Sequence, residues 1–503
     1  MHAFINKIVR RGQQAVDETD GVLDRITSYR IVLYSLLAFL IAAMAAALAG
    51  KVGSEWYQIA ASAIWLVIVC YAVNLAASKL LNIPRNKESD LITALILALI
   101  LLPAQGLNDY LILAAAGAVA MLSKYVLVYG KRHIFNPAAL GAFAVAKIFD
   151  YFPAWWVGTK YLAPLVFIAG LLIMRKMKRY LMVSAFMLVY MAYLVINFYN
   201  IGLSGSLAHV VWIGLISTPV LFFAYIMLTE PSTSPHKLNQ MLVYAAVVAV
   251  LYSVTSLGVS PEEALLIGNI VAFIMAPSRR LELSLLSKKQ ESKDIYSYIF
   301  SSERPLKYSP GQFMEWTLPA AKTDSRGNRR YLTLSSSPTE NDLMFTVRQP
   351  QQRSSFKTEL DRLPKGGKIL AYELEGSFVL PADNSQKLAF IAGGIGATPF
   401  RSITKYLIDS GQNRDITLLY AADNPGDFVF SRLFKEASQS GIITRHIIGR
   451  LRAQDLKDAI PDYKNRKFYI SGPYGFVVSL RQTLLKMGLP RKNIVSDYFP
   501  GYS

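Results

Sequence analysis

Cysteine is nearly absent from this chain of 503 residues, which has a single one, Cys70. The chain therefore cannot form an internal disulfide, a zinc site built from several cysteines or an iron–sulfur cluster held by cysteine thiolates. Histidine is also scarce, with five residues and no matching pair inside one apolar segment. Because paired haems in a helical bundle need several histidine ligands, this scarcity argues against haem.

Charged residues are few as well, at 17% of the chain against 53% hydrophobic residues, a balance too apolar for a purely soluble protein. Long apolar runs fill roughly the first 280 residues, and the remainder alternates apolar and charged residues. The net charge of +19 comes from Lys and Arg scattered through short loops rather than gathered in one stripe. These features predict a membrane domain fused to a soluble one and give no indication of nucleic-acid binding.

About ten apolar segments are present, several shorter than the roughly 20 residues of a straight span, which predicts broken or tilted helices. Their starting points are near Ile31, Tyr57, Ile92, Leu107, Ala138, Leu162, Leu181, Val210, Met241 and Ala264. Basic residues gather in alternate loops, so the positive-inside rule places both termini in the cytoplasm and the chain in the cell inner (plasma) membrane. Residues 1–29 lack the pattern of a removable signal peptide and predict an amphipathic segment at the cytoplasmic surface.

A weak internal echo joins TALILALILLP, ending at Pro103, to TPVLFFAYIMLTEP, ending at Pro231. The two copies are five segments apart, which predicts two inverted five-helix repeats sharing a site near the midplane. The polar residues expected to line that membrane pocket are Asp90, Thr93, Asn136, Thr218, Glu230 and Asn269. Polar groups at membrane depth are costly unless they face protein or water. The alternative is that these side chains only satisfy the backbone of neighbouring helices.

Four motifs of this half carry a family resemblance: LITALILALILLP, HIFNPAALGAF, IMLTEPSTSP and GNIVAFIMAP. In this order they resemble the B subunit of sodium-translocating NADH:quinone reductases and the D subunit of Rnf electron-transport complexes. The resemblance implies ten helices in two inverted repeats and a flavin. Members of that family usually bear FMN esterified to a threonine, but the corresponding loop here keeps only Gly158 and Thr159. This departure argues against covalent attachment and leaves bound FMN or riboflavin open.

The second half predicts two further domains. Short alternating stretches such as GQFMEWTL, RRYLTLSS and LMFTVRQ are typical of a small antiparallel β-barrel. From Lys387 onward, apolar strands alternate with helices, which predicts a doubly wound α/β domain with a parallel sheet. The expected organisation is an N-terminal segment 1–29, a transmembrane electron-transport domain 30–280, a linker 281–292, an FAD-binding barrel 293–383 and an NAD(P)-binding domain 384–503.

The motif AGGIGATPF places Gly393, Gly394 and Gly396 in a turn between a strand and a helix that opens at Thr398 and Pro399. Backbone amides at such a helix start bind a pyrophosphate, and glycine permits its close approach. Taken alone, the glycines fit any tight strand-to-helix turn. Their neighbours RYLTLSSSP, SSFK, EGSFVLP, YISGPYGF and DYFPGY give the set its specificity, because together they resemble ferredoxin–NADP reductase-like flavoproteins.

That resemblance implies roles residue by residue. Arg330 matches the arginine that grips the FAD pyrophosphate, and Thr333 matches the hydroxyl residue that hydrogen-bonds flavin N5. Leu332 stands where relatives have an aromatic residue that stacks on the flavin. An aliphatic surface is therefore expected to pack against the flavin here, with help from the ring of Tyr331. The remaining matches are Arg348, Ser354 and Ser355 near the FAD diphosphate, Gly472 and Pro473 beside the nicotinamide, Ser471 where relatives often have Cys, and Phe499, which shields the isoalloxazine. We expect Thr333, Ser471 and Phe499 to contact the reacting rings.

Asp423 lies just past the strand that ends near Tyr420, in a region where NADP-preferring relatives present Arg. A carboxylate there favours ribose hydroxyls over a 2′-phosphate and so favours NADH. The alternative is that Asp423 only caps a turn, which leaves NADPH open.

Together these features predict a membrane-bound flavoprotein oxidoreductase that transfers hydride from NAD(P)H to FAD and passes electrons into the membrane domain. The expected acceptor is a quinone or a membrane-bound flavin, and further redox subunits are expected partners. Two alternatives use the same soluble module: a redox-driven sodium or proton transporter, and a transmembrane NAD(P)H oxidase or ferric reductase.

Overall fold

The computed structural model describes residues 19, 23, 26–81, 87–130, 132–201, 206–235, 237–275, 281–302, 306–318, 324, 328–351 and 353–499. The chain divides into two compact units, Met1–Arg279 and Arg280–Ser503. Most of the predicted N-terminal amphipathic segment 1–29 lies outside the described residues.

The N-terminal unit is helical. Its helices are α1 Ser28–Leu48, α2 Trp56–Leu80, α3 Lys87–Ile100, α4 Leu107–Val126, α5 Pro137–Phe149, α6 Ala163–Met177, α7 Tyr180–Ile201, α8 Leu207–Ile216, α9 Val220–Phe222 continued by a π-helix Phe223–Met227, α10 Leu238–Ser253 and α11 Pro261–Met275. A two-residue hairpin, β1 Val128–Tyr129 and β2 Arg132–His133, separates α4 from α5. The helix starts are set locally: the Asn136 side chain accepts a hydrogen bond from the backbone amide of Ala139, and Pro137 occupies the first turn of α5.

Length and apolar composition single out α1, α2, α4 and α7 as helices able to cross a membrane. A fifth span is obtained if α8 and α9 with its π-helical extension, which meet at a bend of 60°, are taken together. Helices α5 and α10 are apolar but shorter. The helices therefore begin close to the predicted apolar segments, whereas ten spans and two inverted repeats stay predictions.

The loop after α5 contacts the end of α3 and the residue before α9. Trp155 adopts a left-handed φ of 47° and donates its backbone amide to the carbonyl oxygen of Ile100, 2.9 Å away at the end of α3. Gly158 lies against Pro219 before α9, where an added Cβ would stand 2.4 Å from the backbone nitrogen. Trp155 is buried, and the loop therefore makes close backbone contacts on both of its sides.

The C-terminal unit starts with an antiparallel sheet of six strands. In spatial order these are β6 Arg329–Thr333, β5 Phe313–Thr317, β8 Lys368–Glu375, β3 Leu281–Ser292, β4 Ile295–Ser302 and β7 Leu343–Arg348. The amide of Ser335, just past β6, donates to the carbonyl oxygen of Met344 in β7 at 2.7 Å, which joins the two edges of the sheet into a barrel. One helix, α12 Ser355–Arg362, follows β7.

The predicted linker 281–292 is wrong, because this segment is the first strand of the barrel. Leu283 and Leu285 point into the core with 0% and 3% of their surface exposed. The charges that suggested a linker lie at the far end of the same strand, where Lys288, Lys289 and Gln290 are exposed. The barrel therefore begins at Leu281 and not at residue 293.

The second part of this unit is a parallel sheet of five strands. In spatial order these are β11 Ile442–Ile448, β10 Ile416–Ala422, β9 Leu388–Gly393, β12 Lys467–Pro473 and β13 Ile494–Phe499. The helices of this part are α13 Thr398–Asp409, α14 Ser431–Glu436, α15 Ala453–Ala459 and α16 Tyr474–Lys486. Strand order runs outward in one direction from β9 and in the other from β12, so the topological switch point lies between these two strands.

Arg466, directly before β12, ties the amino end of this sheet together. Its side chain is 7% exposed and donates to the carbonyl oxygen of Leu388 at 3.0 Å and to Asp415 Oδ1 and Asp462 Oδ1 at 2.7 Å each. The hydrogen bond from Arg466 is the largest cause of a lowered pKa of the Asp462 carboxyl.

Replacing Asp462 with Asn should lower the free energy of unfolding by about 1 kcal/mol or less at pH 7, because solvent screens this carboxylate, whose side chain is 33% exposed. A depressed folded-state pKa gives stability that is present above the unfolded pKa of about 3.9 and is lost as pH falls through the folded value. The difference between variant and parent, measured by urea unfolding of the detergent-purified chain, should shrink below about pH 4. A difference that stays constant from pH 3 to pH 7 would contradict this account, and Asp458→Asn on α15 is the control.

Candidate functional site

The glycine turn rests directly on the neighbouring strand β12. A Cβ added at Gly396 would lie 2.2 Å from the carbonyl oxygen of Ser471, and one at Gly393 would lie 2.8 Å from the ring of Phe476. Gly394 differs, because its φ of +52° requires glycine-like freedom while a Cβ there would meet nothing within 4 Å. The turn therefore packs tightly on one side and leaves an open face at Gly394.

Helix α13 begins at Thr398, immediately after this turn, with Pro399 in its first turn. Within the described part of the chain, no side chain caps its N-terminal amides, and the Thr398 hydroxyl donates instead to the carbonyl oxygen of Ile395 at 3.2 Å. Uncapped amides at a helix start favour an anion such as a phosphate.

Three buried hydroxyl groups of the C-terminal unit lie at or near strand ends, two in the barrel and one in the parallel sheet. Thr333, Ser335 and Ser471 are 4%, 0% and 0% exposed, and among the described residues their hydroxyl oxygens have no hydrogen-bond partner. A buried hydroxyl without a partner costs about 1–3 kcal/mol. The residues thus fit a bound group that carries polar atoms to Thr333 at the end of β6 and to Ser471 near the end of β12.

The other predicted residues of β6 occupy different environments. Arg330 is 7% exposed, with its guanidinium 5.2 Å from the centre of the Phe356 ring. Leu332 packs against the barrel core. Tyr331 is 53% exposed and donates its hydroxyl to Glu315 Oε2 at 3.2 Å. The strand therefore presents a buried cation, an aliphatic surface and a half-exposed ring within three positions.

Of the residues expected near a diphosphate, Arg348 is ion-paired with Asp427 at 3.2 Å and with Asp294 at 3.5 Å. Ser354 caps α12 by accepting from the amide of Lys357 at 3.3 Å. The amide of Ser355, at the start of the same helix, donates to Asp324 Oδ2 at 2.9 Å. A carboxylate already occupies this helix start, so the position accepts an anion.

Gly472 and Pro473 end β12 on the other side of the switch point, and Pro473 is in register with Phe499 at the end of β13. The side chain of Phe499 lies outside the described residues. Asp423 follows β10 and is exposed. Asp423 is thus placed at the carboxyl end of the sheet, where dinucleotides bind in such folds.

In the N-terminal unit, two of the predicted pocket residues, Asp90 and Thr93, lie on α3 near a partly buried lysine of α4. Lys124 of α4 donates to the Thr93 hydroxyl and to the Ser89 hydroxyl at 3.0 Å each. Asp90 is 2% exposed and accepts a hydrogen bond from the Asn74 amide of α2. Sequence reasoning missed Lys124 and Asn74, although a lysine inside an apolar segment is itself a signal of a buried site.

Three more predicted residues gather near α5 and α11. Asn269 is fully buried, and its Oδ1 accepts from the amide of Asn136 at 2.9 Å. Glu230 lies 3.4 Å from His133 Nε2. Thr218 is placed elsewhere, with its hydroxyl 2.5 Å from the carbonyl oxygen of Gly214 in α8. The side chains of Asn136 and Thr218 thus hydrogen-bond to backbone groups of their own helices, as the alternative to a pocket predicts.

One region of the chain matches the model of a known protein family. Residues 390–481, which contain the glycine turn and Ser471–Pro473, match the oxidoreductase NAD-binding domain.

Among curated proteins, the chain is similar to the glycine betaine monooxygenase reductase subunit of Chromohalobacter salexigens, with 25% identity over 42% of this chain and 61% of that protein. It is 23% identical to flavohemoprotein A of Dictyostelium discoideum over 42% and 58% of the two chains. It is 27% identical to the ferredoxin reductase component of the 3-ketosteroid-9-alpha-monooxygenase of Mycolicibacterium smegmatis, over 44% and 66%. The chain thus spans about three fifths of the length of these relatives.

Among solved structures, the chain is similar to the FAD/NAD-binding domain of nitric oxide dioxygenase from Vibrio cholerae, with a TM-score of 0.38 and 20% identity over 44% of this chain and 98% of that one. The ferredoxin–NADP+ reductase of Plasmodium falciparum gives a TM-score of 0.38 and 17% identity over 44% and 97%.

The match to the NAD-binding domain and the curated relatives confirm the predicted class of enzyme, an NAD(P)H-dependent oxidoreductase that uses FAD and a nicotinamide dinucleotide. The assignment agrees with the uncapped start of α13 and with the three buried hydroxyls. The roles of the individual residues and the part played by the helical unit go beyond this and belong to the proposal below.

Proposed function

We propose that the chain is a membrane-bound flavoprotein oxidoreductase, in which the C-terminal unit takes hydride from NADH or NADPH and the helical unit accepts the electrons. When bound, FAD supplies the two-electron acceptor for the hydride. The terminal acceptor we propose is a quinone or a flavin bound in the helical unit.

One observation carries the reductase part: the glycine turn and Ser471 lie at the switch point of the parallel sheet, and the buried hydroxyls of Ser471 and of Thr333, at the end of β6, have no partner among the described residues. The amides at Gly396–Thr398 bind the dinucleotide pyrophosphate, and the open face at Gly394 leaves room for its approach. Ser471–Pro473 hold the nicotinamide, and the Thr333 hydroxyl donates to the flavin. Arg330 holds the FAD phosphates, with Leu332 packing against the rings and the chain near Phe499 covering them.

The electron path into the helical unit is supported by two features. Among the described residues, four helices are long and apolar enough to span a bilayer, and the loop after α5 packs against the end of α3 and against Pro219 before α9. Several relatives are named reductase subunits or components, so a C-terminal module that delivers electrons to another redox site is consistent with them. In this chain the covalently attached helical unit is the proposed recipient, and additional redox subunits are possible partners in the same role.

A second function is favoured by the buried charges of that unit. Asp90 of α3 is 2% exposed, and Lys124 of α4 donates to Ser89 and Thr93 on either side of it in the chain. Ionisable groups at membrane depth commonly mark ion or proton pathways. Redox-driven uptake of sodium or protons would then accompany electron transfer. Proteoliposomes given NADH and a quinone should accumulate the ion, and an ionophore should abolish the accumulation. Electron transfer without ion uptake would reject the transporter function and keep the reductase function.

The central experiment uses the full chain purified in detergent. NADH or NADPH should bleach the flavin absorbance, and a ubiquinone analogue should restore it. Flavin is then extracted and counted, noting how much stays on the denatured polypeptide: one FAD is expected from the C-terminal unit, and any excess reports a flavin in the helical unit. Full FAD occupancy without bleaching by either dinucleotide defeats the proposal, and bleaching without reoxidation by quinone defeats its acceptor.

A further inference from the structure

The helix that follows the glycine turn also grips the barrel. Arg401 of α13 donates through Nη2 to Glu340 Oε1 at 2.8 Å and through Nη1 to the carbonyl oxygen of Ser335 at 3.0 Å. The hydroxyl of the next residue, Ser402, donates to the carbonyl oxygen of Ser336 at 2.5 Å. The Arg401 side chain is only 14% exposed, so solvent screens these contacts weakly.

The segment Ser335–Ser336 is also hydrogen-bonded to the barrel. Ser335 donates its amide to the carbonyl oxygen of Met344 in β7 at 2.7 Å, and the amide of Met344 donates to the Ser336 hydroxyl at 3.0 Å. The Tyr308 hydroxyl is 3.0 Å from the same Ser336 hydroxyl. Ser335 lies two residues after Thr333. The short segment Ser335–Ser336 therefore links α13 to the end of β6, because it is hydrogen-bonded to α13 on one side and to β7 on the other.

We propose that Arg401, Ser402 and Glu340 form a clamp that sets the position of the dinucleotide turn relative to Thr333, and that Arg401 is therefore a positioning residue for hydride transfer. This inference rests on the proposed function. Hydride transfer depends steeply on the separation of the reacting atoms, and a misplacement of about 1 Å costs on the order of 100-fold in rate. A planar guanidinium that holds a carboxylate through both nitrogens, and a backbone carbonyl besides, fixes orientation as well as distance.

The test replaces Arg401 with Lys and with Met in the full chain. Rapid mixing with NADH should show a limiting rate of flavin reduction that falls about fivefold in Arg401→Met and less in Arg401→Lys, because Lys keeps a single charged contact. The NADH concentration that gives half of the limiting rate should change less than the limiting rate itself, since the variant shifts the turn relative to Thr333 but keeps every phosphate-binding amide of the turn. The matched control is Arg432→Met, which breaks the exposed Arg432–Glu436 pair on α14.

A second measurement does not depend on reduction. Hydrogen–deuterium exchange of the Arg401→Met variant should rise both in the Ser335–Ser337 segment and in the turn at Gly393–Ala397, and it should stay at the parental level in Arg432→Met. An unchanged limiting rate, or exchange that rises in α13 alone, overturns the clamp. A parent chain that NADH and NADPH both fail to reduce overturns the proposed function instead, while coupled exchange would still support the clamp.

Discussion

Gly396→Ala should abolish reduction of the flavin by NADH or NADPH, with a loss of at least about 100-fold, while FAD stays bound. The added Cβ would stand 2.2 Å from the carbonyl oxygen of Ser471 and 2.6 Å from the Cα of Gly472. Both are backbone atoms, so the turn and the end of β12 must move apart, and such overpacking also costs about 1–3 kcal/mol of stability. That movement separates the phosphate-binding amides from the nicotinamide side of the site.

The control for this variant is Gly475→Ala, at the start of α16, where an added Cβ would meet nothing within 4 Å. It should retain the parental rate of reduction and the parental stability. FAD content is measured after denaturation, and dithionite reduction shows that the flavin of Gly396→Ala is still reducible. Parental rates of NADH-dependent bleaching in Gly396→Ala would remove the glycine turn from the dinucleotide site.

The sequence was most informative where periodicity and chain direction coincide. The run LAFIAGG followed by GATPF predicts a buried parallel strand, a glycine turn and a helix start, and β9, the turn at Gly394 and α13 lie there. In such a unit the local sequence dictates the order strand, turn, helix, because each part is built from residues next to one another. Ser471–Pro473 lie at the end of β12, the strand next to β9, and that adjacency is a finding of the structure.

Long-range pairing was harder to predict. The segment 281–292 carries several charges at its end, and composition alone suggested a linker. Pairing with β4 and β8 makes it the first strand of the barrel. In the sequence, only the alternation of Leu283 and Leu285 indicates that one face of this strand is buried. A strand is stabilised by partners distant in sequence, so a charged end does not exclude it.

Contacts between side chains of distant segments could not be read from the sequence at all. Arg401 and Glu340 are 61 residues apart, and neither belongs to a recognised motif. Lys124 and Asp90 likewise come from different helices of the N-terminal unit. Patterns in one sequence report which residues face inward, but the identity of the partner depends on how the elements pack.

Thr333→Val should separate stability from chemistry, because the two should move in opposite directions. The Thr333 hydroxyl is buried, and among the described residues it has no partner, so replacing it with a methyl group removes an unsatisfied polar atom. The FAD-free protein should gain about 1 kcal/mol or more in stability. With FAD bound, the limiting rate of reduction by NADH should fall by about 10- to 100-fold, the equivalent of one lost hydrogen bond of roughly 1.5–3 kcal/mol to a group that changes charge.

The matched control is Thr346→Val in β7, a threonine of similar burial whose hydroxyl is already 2.8 Å from the hydroxyl of Ser297. That substitution should destabilise the barrel, because it removes a hydrogen bond that is made, and it should leave the rate of reduction unchanged. Stability is measured by urea unfolding of the detergent-purified chain stripped of flavin, and rates by rapid mixing after FAD is restored. If Thr333→Val behaves like Thr346→Val, losing stability and keeping its rate, then the Thr333 hydroxyl serves the fold and the flavin contact assigned to it is wrong.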